Sequence, residues 1–556
     1  MRTCRLVTLL LLLTSFVAAQ QKSESKKPTD KKPTPTQKTA TSETTATQPD
    51  ETRAIEPQPS QGPSSPLTPP TTNTKFDMKE MPPVVTHHSI KHSSGKTLQY
   101  TATTGRMPIK DAVGNVEAEM FYVAYTLDGQ DSAKRPITFA FNGGPGSSSI
   151  WLHMGTLGPR KVVLQPEGWM PQAPYRVQDN PYTPLDQTDI VMIDMIGTGY
   201  SRPLDTDTGK KFWGLRGDIE SFGEFIRMYL SRNERWSSPL FLLGESYGTT
   251  RASGLAGYLV DKGISFNGIT LLSTIMDFQS VLTSARNDEG YVYTLPTFTN
   301  IAFYHKKLPA DLQQDFAKTR AEAEAFASGE YTVALAKGDS LSAEDRKSII
   351  EKIARYTGLK KDFIDQANLR VDVEGFSSQL LLDEKLRVGR LDGRFTAPSP
   401  VSTLNREFYD PSSAAITPPF TSVFNDYVRR ELGYKVDMPY YVYIFEAPYG
   451  RSVKWDWNPG DNSGFEMGYT DTASALRAAI IKNPYMKVLV MEGFYDLATP
   501  YYAVHYTMDH LDLAPKYHQN ISYADYEAGH MVYIHTPSLE KMHKDYTNFV
   551  TSNVPK

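Results

Sequence analysis

The sequence predicts an α/β fold: a mostly parallel central sheet with crossover helices, interrupted by a mainly helical insertion. Three observations carry this prediction. Short, wholly apolar runs of the kind buried in parallel sheets recur at Ile137–Phe141, Ile190–Ile193, Leu240–Leu243, Ile269–Leu272 and Val488–Met491, several of them followed by helical spacing. Two alternating segments, Leu98–Thr104 and Met120–Thr126, joined through a turn at 111–115, read as antiparallel strands on the leading edge of that sheet. The interval between the last two apolar runs is too long for one crossover, and its pattern is helical.

Within that interval, Ser342-Ala343-Glu344-Asp345 starts a helix whose apolar positions are Ile349, Ile350, Ile353 and Tyr356, and Gly358 stops it. Pro309–Ala327 reads as another amphipathic helix. These elements define a mainly helical cap at about 277–435, between core segments 76–276 and 436–556, over the catalytic end of the sheet. Its charged positions, such as Arg320, Glu322 and Lys360, read as solvated surface.

The chain begins with Arg2 and Arg5, an apolar stretch from Leu6 to Val17, and the small-residue pattern Val17-Ala18-Ala19, so residues 1–19 read as a signal peptide. The only cysteine, Cys4, leaves with it, and the mature chain is expected to have no disulfide. Residues 20–75 are rich in Lys, Thr, Pro, Ser, Gln and Glu and cannot bury enough surface to fold; they read as a disordered tether. A net charge of −4 over 556 residues points to neither nucleic acid nor an anionic membrane surface. A secreted or periplasmic protein is expected, with no integral membrane span once the leader is cleaved.

Residues 240–248 read Leu-Phe-Leu-Leu-Gly-Glu-Ser-Tyr-Gly, an apolar strand that breaks into Gly-x-Ser-x-Gly. That spelling places Ser246 on a strained strand-to-helix turn as an exposed nucleophile, with Gly244 and Gly248 removing side chains that would collide. A serine hydroxyl needs a base, and the base needs a group to fix its tautomer. Asp496 follows the strand at 488–491, and His530 follows a last strand at Ile521–Tyr526. The chain order Ser246, Asp496, His530 is that of an α/β-hydrolase fold. Two backbone donors must then stabilise an oxyanion. One is the N–H of Tyr247, and the other comes from the glycine loop Asn142-Gly143-Gly144-Pro145-Gly146.

Four motifs together, Asn-Gly-Gly-Pro-Gly at 142–146, Gly-Thr-Gly-Tyr-Ser at 197–201, Gly-Glu-Ser-Tyr-Gly at 244–248 and Ala-Gly-His-Met at 528–531, resemble the serine carboxypeptidase family. The resemblance implies an enzyme that removes residues from peptide C-termini, with Ser246, Asp496 and His530 as catalytic residues and the Gly144 and Tyr247 amides as oxyanion hole. It also implies that Asn142 and Glu245 hold the substrate carboxylate, and that no cofactor or metal is required. A protonated Glu245 would donate to that carboxylate, whereas an ionised one would repel it. The chain departs from the family pattern at Ala140, where a tryptophan is usual, and at Thr156, where a second glutamate is usual. Ser147 replaces a loop cysteine, and Phe494-Tyr495 precedes Asp496 in place of a Gly-Asp-x pattern. The carboxylate clamp is therefore incomplete.

Other features read as structural. His87, His88 and His92 read as a surface loop rather than a metal site, and His153 as a packed histidine. The turn Trp455-Asp456-Trp457-Asn458-Pro459-Gly460 reads either as aromatic packing or as pocket lining. Asn520-Ile521-Ser522 matches a glycosylation sequon but overlaps a strand. The leading expectation is an exported serine carboxypeptidase acting on peptide or protein C-termini. An esterase, aminopeptidase or acyltransferase with the same triad, or a non-catalytic peptide-binding envelope protein, are the alternatives. The oligomeric state, a homodimer included, stays open.

Overall fold

The structure is a computed structural model, and residues 73, 75–399, 410–450, 453–458 and 468–555 are described. The segments read as a signal peptide at 1–19 and, nearly all of it, as a tether at 20–75 lie outside the described residues, as do Pro459 and Gly460.

The main sheet contains β1 (Val84–Lys91), β2 (Thr97–Lys110), β3 (Val116–Leu127), β4 (Ile137–Phe141), β5 (Asp189–Ile193), β6 (Leu240–Ser246), β7 (Gly268–Thr274), β8 (Lys487–Gly493) and β9 (Ile521–Tyr526). Their spatial order is β1-β2-β3-β5-β4-β6-β7-β8-β9, and the short strand Arg202–Pro203 also pairs with β3. The first three strands are antiparallel, β3 meets β5 antiparallel, and every pair from β5 to β9 is parallel. The order reverses at β4 and β5, so the loops leaving the carboxyl ends of β4 and β6 open beside a topological switch point.

Alternation along the strands feeds two cores. Leu242 of β6 and Val490 of β8 face one side, under α1 (Leu215–Arg232) and α2 (Tyr247–Val260), whereas Leu243 and Met491 face the other. A strand buried on both faces must be apolar at every position, which is why these runs carry no polar alternation.

β1 was not foreseen. His87 and His88 lie on it rather than on a surface loop, and consecutive strand residues point to opposite faces. His87 Nδ1 hydrogen-bonds Thr101 Oγ1 at 3.0 Å, and His88 Nε2 hydrogen-bonds Thr86 Oγ1 at 2.8 Å. His92 hydrogen-bonds Ser94 and the Thr183 carbonyl beyond the strand end. The three histidines do not converge, because the pleat turns two of them apart.

Between β7 and β8 the described chain includes α3 (Glu289–Tyr304), α4 (Phe316–Phe326), α5 (Ala343–Thr357), α6 (Pro411–Arg430) and α7 (Ala473–Lys482). The Ser342 hydroxyl accepts from the Asp345 N–H at the start of α5, and Gly358 ends it in the left-handed region at φ 72°. α4 begins later than the apolar spacing suggests, because the Asp315 carboxylate caps the Lys318 N–H and fixes the first turn there. The stretch has two cores: α3 to α5 pack among themselves around Phe298, Ile353 and Phe376, whereas Phe420, Phe424 and Tyr427 of α6 join one of the sheet's own cores.

Candidate active site

The elbow is built by backbone sterics. β6 is buried through Glu245 and ends at Ser246, which adopts φ 61° and ψ −134°, a conformation that non-glycine residues hold only where the surrounding fold imposes it. α2 starts at the next residue, so the Tyr247 N–H is one of the free amides of a helix N-terminus. A β-carbon on Gly244 would lie 2.1 Å from the Gly248 carbonyl oxygen, and one on Gly248 would lie 2.8 Å from the Phe141 oxygen. The glycine loop rests on the elbow: a β-carbon on Gly143 would sit 2.4 Å from the Tyr247 nitrogen. The turns at 142–144 and 246–248 are therefore in direct backbone contact, and Gly144 itself has φ 110°.

Asp496 lies on the loop after β8 and His530 on the loop after β9, and the two meet at 2.6 Å through Asp496 Oδ2 and His530 Nδ1. Asp496 also accepts from the Ala498 and Thr499 N–H groups at 2.7 and 3.1 Å, and from the Thr499 hydroxyl at 2.6 Å. With Nδ1 committed to Asp496, Nε2 is the nitrogen left for a substrate-side proton. Burial disfavours charge on the ring, but Asp496 and, more weakly, Glu245 outweigh it and hold His530 above the usual histidine range. Among the described residues Ser246 Oγ makes no hydrogen bond to His530, as is common before substrate closes a catalytic site.

The His530 loop is held from two sides. The His530 N–H donates to the Leu391 carbonyl at 2.6 Å and its carbonyl accepts from the Ser273 hydroxyl at 2.5 Å. The Gly529 N–H donates to Asp392 at 3.1 Å, and Arg394 pairs with that same carboxylate at 2.6 Å. Leu391 and Asp392 thus hold the backbone of His530 and Gly529, a contact sequence spacing could not reveal. Phe494 and Tyr495, which replace the usual residues before Asp496, pack with Phe316 and Tyr501 and join the core of α3 to α5.

Beside the serine, Asn142 and Glu245 lie near each other. The Tyr533 hydroxyl donates to Glu245 Oε2 at 2.7 Å, and the Asn142 side chain lies close enough to act electrostatically on both Glu245 and Tyr533. Asn142 Oδ1 is fixed by the Leu152 N–H at 2.9 Å, which turns its amide nitrogen toward the pair. Burial pushes the Glu245 carboxyl up to about 7, opposed by His530, Tyr533 and Asn142. Sequence reasoning missed Tyr533, whose only signal is its position three residues beyond His530.

Beneath both loops lies a buried cation. Arg251 Nη1 donates to the Asn142 carbonyl at 2.7 Å and Arg251 Nε to Asp218 at 2.7 Å, with both side chains wholly inaccessible. The guanidinium also stands 4.2 Å from the Phe222 ring centre and 5.5 Å from that of Tyr247. One side chain therefore ties the glycine loop to the elbow.

The departures have structural explanations. Thr156 is buried with its hydroxyl toward Met542 Sδ at 3.8 Å, and Ser147 accepts from the Trp151 indole at 3.0 Å. Ala140 sits inside a sheet core. His153 is a packed histidine on Tyr125 at 2.6 Å, with burial lowering its pKa to about 3. Trp455 and Trp457 stand edge-on to Tyr247, with ring centres 5.4 and 6.1 Å away, and Trp457 remains partly exposed. The Asn520 amide is buried on the Pro484 carbonyl and its oxygen accepts from Lys487, which leaves the sequon inaccessible.

Sheet order, elbow and the loops after β4, β8 and β9 define an α/β hydrolase. The chain belongs to the serine carboxypeptidase family: the family model described as "Serine carboxypeptidase" matches residues 95–374, just over half of the 556. The match includes Asn142 and Ser246, whereas Asp496 and His530 lie beyond it. The chain is similar to solved structures of a thioesterase domain from the curacin biosynthetic pathway (9% identity, 81% of this chain and 99% of that one, TM-score 0.30) and of a lipase in an open form (11%, 85% and 100%, 0.31). It is also similar to a juvenile hormone epoxide hydrolase from the silkworm Bombyx mori (10%, 82% and 79%, 0.27). No curated protein matches the chain.

Proposed function

We propose that the protein is an exported serine carboxypeptidase that cleaves the last peptide bond of its substrates through an acyl-enzyme on Ser246. The observation that carries this reading is the Glu245, Asn142 and Tyr533 cluster beside Ser246 and within electrostatic reach of the Asp496–His530 pair. His530 Nε2 takes the Ser246 proton as Oγ attacks the terminal peptide carbonyl, and the Tyr247 and Gly144 N–H groups stabilise the resulting oxyanion. His530 then returns the proton to the leaving amino acid's nitrogen. Water enters by the same base catalysis and releases the shortened peptide from its ester.

The terminal carboxylate is held by the Asn142 amide and by Glu245 in its protonated form. Below about 7 Glu245 carries a proton it can donate; above that value it is charged and repels the substrate. At the acid end His530 becomes protonated and ceases to act as a base, so activity is confined to a window. Protonation of Glu245 also removes part of the field that holds a proton on His530. The export leader and tether support an extracytoplasmic site, and among the described residues no helix is long and apolar enough to cross a membrane.

Peptides as free acids and as C-terminal amides test the reading. A carboxypeptidase prefers the free acid strongly and loses turnover in Ser246→Ala. Equal turnover of the amide would point instead to an esterase, aminopeptidase or acyltransferase, and absent Ser246-dependent phosphonate labelling to a binding protein.

A further inference from the structure

Close to the Asp496 loop, two carboxylates and one imidazole from three elements converge. Glu492 is the penultimate residue of β8, Asp525 is its in-register neighbour on β9, and His505 projects from α8 (Tyr501–Asp509). One ligand atom from each lies within 4.8 Å of the other two. We propose that Glu492, His505 and Asp525 bind a first-row divalent cation such as Zn2+ or Mn2+, which fastens α8 to β8 and β9.

The hydrogen-bond geometry supports a central ion. His505 Nε2 and Glu492 Oε2 form an ion pair at 3.0 Å, and neither buried atom meets hydrogen-bond geometry with the other. Glu492 Oε1 and Asp525 Oδ1 are likewise buried with no hydrogen-bond partner. Glu492 is 2% exposed. A carboxylate so placed must be matched by a cation or take up a proton, and His505 is a single positive charge for two carboxylates. Among the described residues no lysine or arginine pairs with Glu492 or Asp525, and the other charges acting on the His505–Glu492 pair are Asp496 and Glu324, both acidic. One imidazole and two carboxylates suit a borderline divalent ion. Ligands about 2.1 Å from a shared ion stand about 3 to 4 Å apart, so small side-chain rotations complete the shell. The His505 side chain is 35% exposed, which leaves an entry path and room for water ligands.

Such an ion would act on position rather than on chemistry. The Asp496 loop runs from the end of β8 to the start of α8, so Glu492 and His505 bracket the segment that carries the triad carboxylate, with Asp525 on the neighbouring strand.

The full chain, stripped with a chelator and desalted, is dialysed against Zn2+ or Mn2+ alone, and bound metal is counted by mass spectrometry beside thermal unfolding. The expected result is a single retained ion per chain and a metal-dependent rise in unfolding temperature, both lost in Glu492→Gln and in His505→Asn. Wild type that retains no ion overturns the proposal. So does a Glu492→Gln variant that binds as much as wild type, which would place the ion elsewhere, for example at His530 and Asp496. If Glu492→Gln fails to fold, the His505→Asn variant, altered at a partly exposed side chain, decides by the same count.

Discussion

The Asp496–His530 pair and the Asn142, Glu245 and Tyr533 cluster are built by different means. On the base side, Asp496 and His530 are oriented largely by backbone groups: two N–H groups on the Asp496 carboxylate, the Leu391 carbonyl on the His530 amide, and the elbow's own φ and ψ. On the grip side, Asn142, Glu245 and Tyr533 orient one another through side chains, and one of them titrates near neutrality. Hydrogen bonds from backbone groups survive most side-chain substitutions at the residues that supply them. A cluster of side chains around a single buried carboxyl does not, so substrate selection is expected to be lost through single side-chain changes and through ionisation of Glu245.

The largest break in that comparison is Ser246→Ala, which removes the nucleophile shared by both sides. Turnover of free-acid peptides should fall by about 10⁴- to 10⁶-fold in steady-state assays while peptide binding persists. Arg251→Met comes next, because it leaves Asp218 as an unpaired buried charge. Denaturant unfolding should show a loss of about 3–5 kcal/mol, and Arg251→Met combined with Asp218→Leu should recover much of it. Tyr533→Phe addresses the grip alone. It removes a donor that favours ionised Glu245, so the alkaline limb of kcat/KM should move to higher pH and KM for free acids should rise about 10-fold, with amide substrates unaffected. Thr499→Val deletes one donor to Asp496 while the backbone donors remain, and kcat should drop by less than about 10-fold. Thr156→Val should leave KM unchanged, since that side chain faces Met542.

The sheet and the elements around the serine were legible because each reactive residue follows an apolar strand, and the glycines around it have no tolerable substitute. Ser246, Asp496, His530, Asn142 and Glu245 all announce themselves by local spelling. Tyr533 does not, because its partner Glu245 lies 288 residues away and nothing local distinguishes it from a core tyrosine. The same holds for Arg251, which reads as one more helical position until Asp218 and the Asn142 carbonyl surround it. β1 was hidden by its composition, since an edge strand with histidines on successive positions lacks an apolar alternation. Leu391 and Asp392 could not be foreseen at all, as their contact with the His530 loop depends on how the insertion folds back.

The most direct measurement is the pH dependence of kcat/KM for one peptide as free acid and as amide, in wild type and in Glu245→Gln. The free acid should be preferred at mildly acid pH, its advantage should fall as pH rises through about 7, and glutamine, neutral at every pH, should abolish that fall. A free acid and an amide cleaved alike, or an alkaline limb unchanged in Glu245→Gln, would contradict the account.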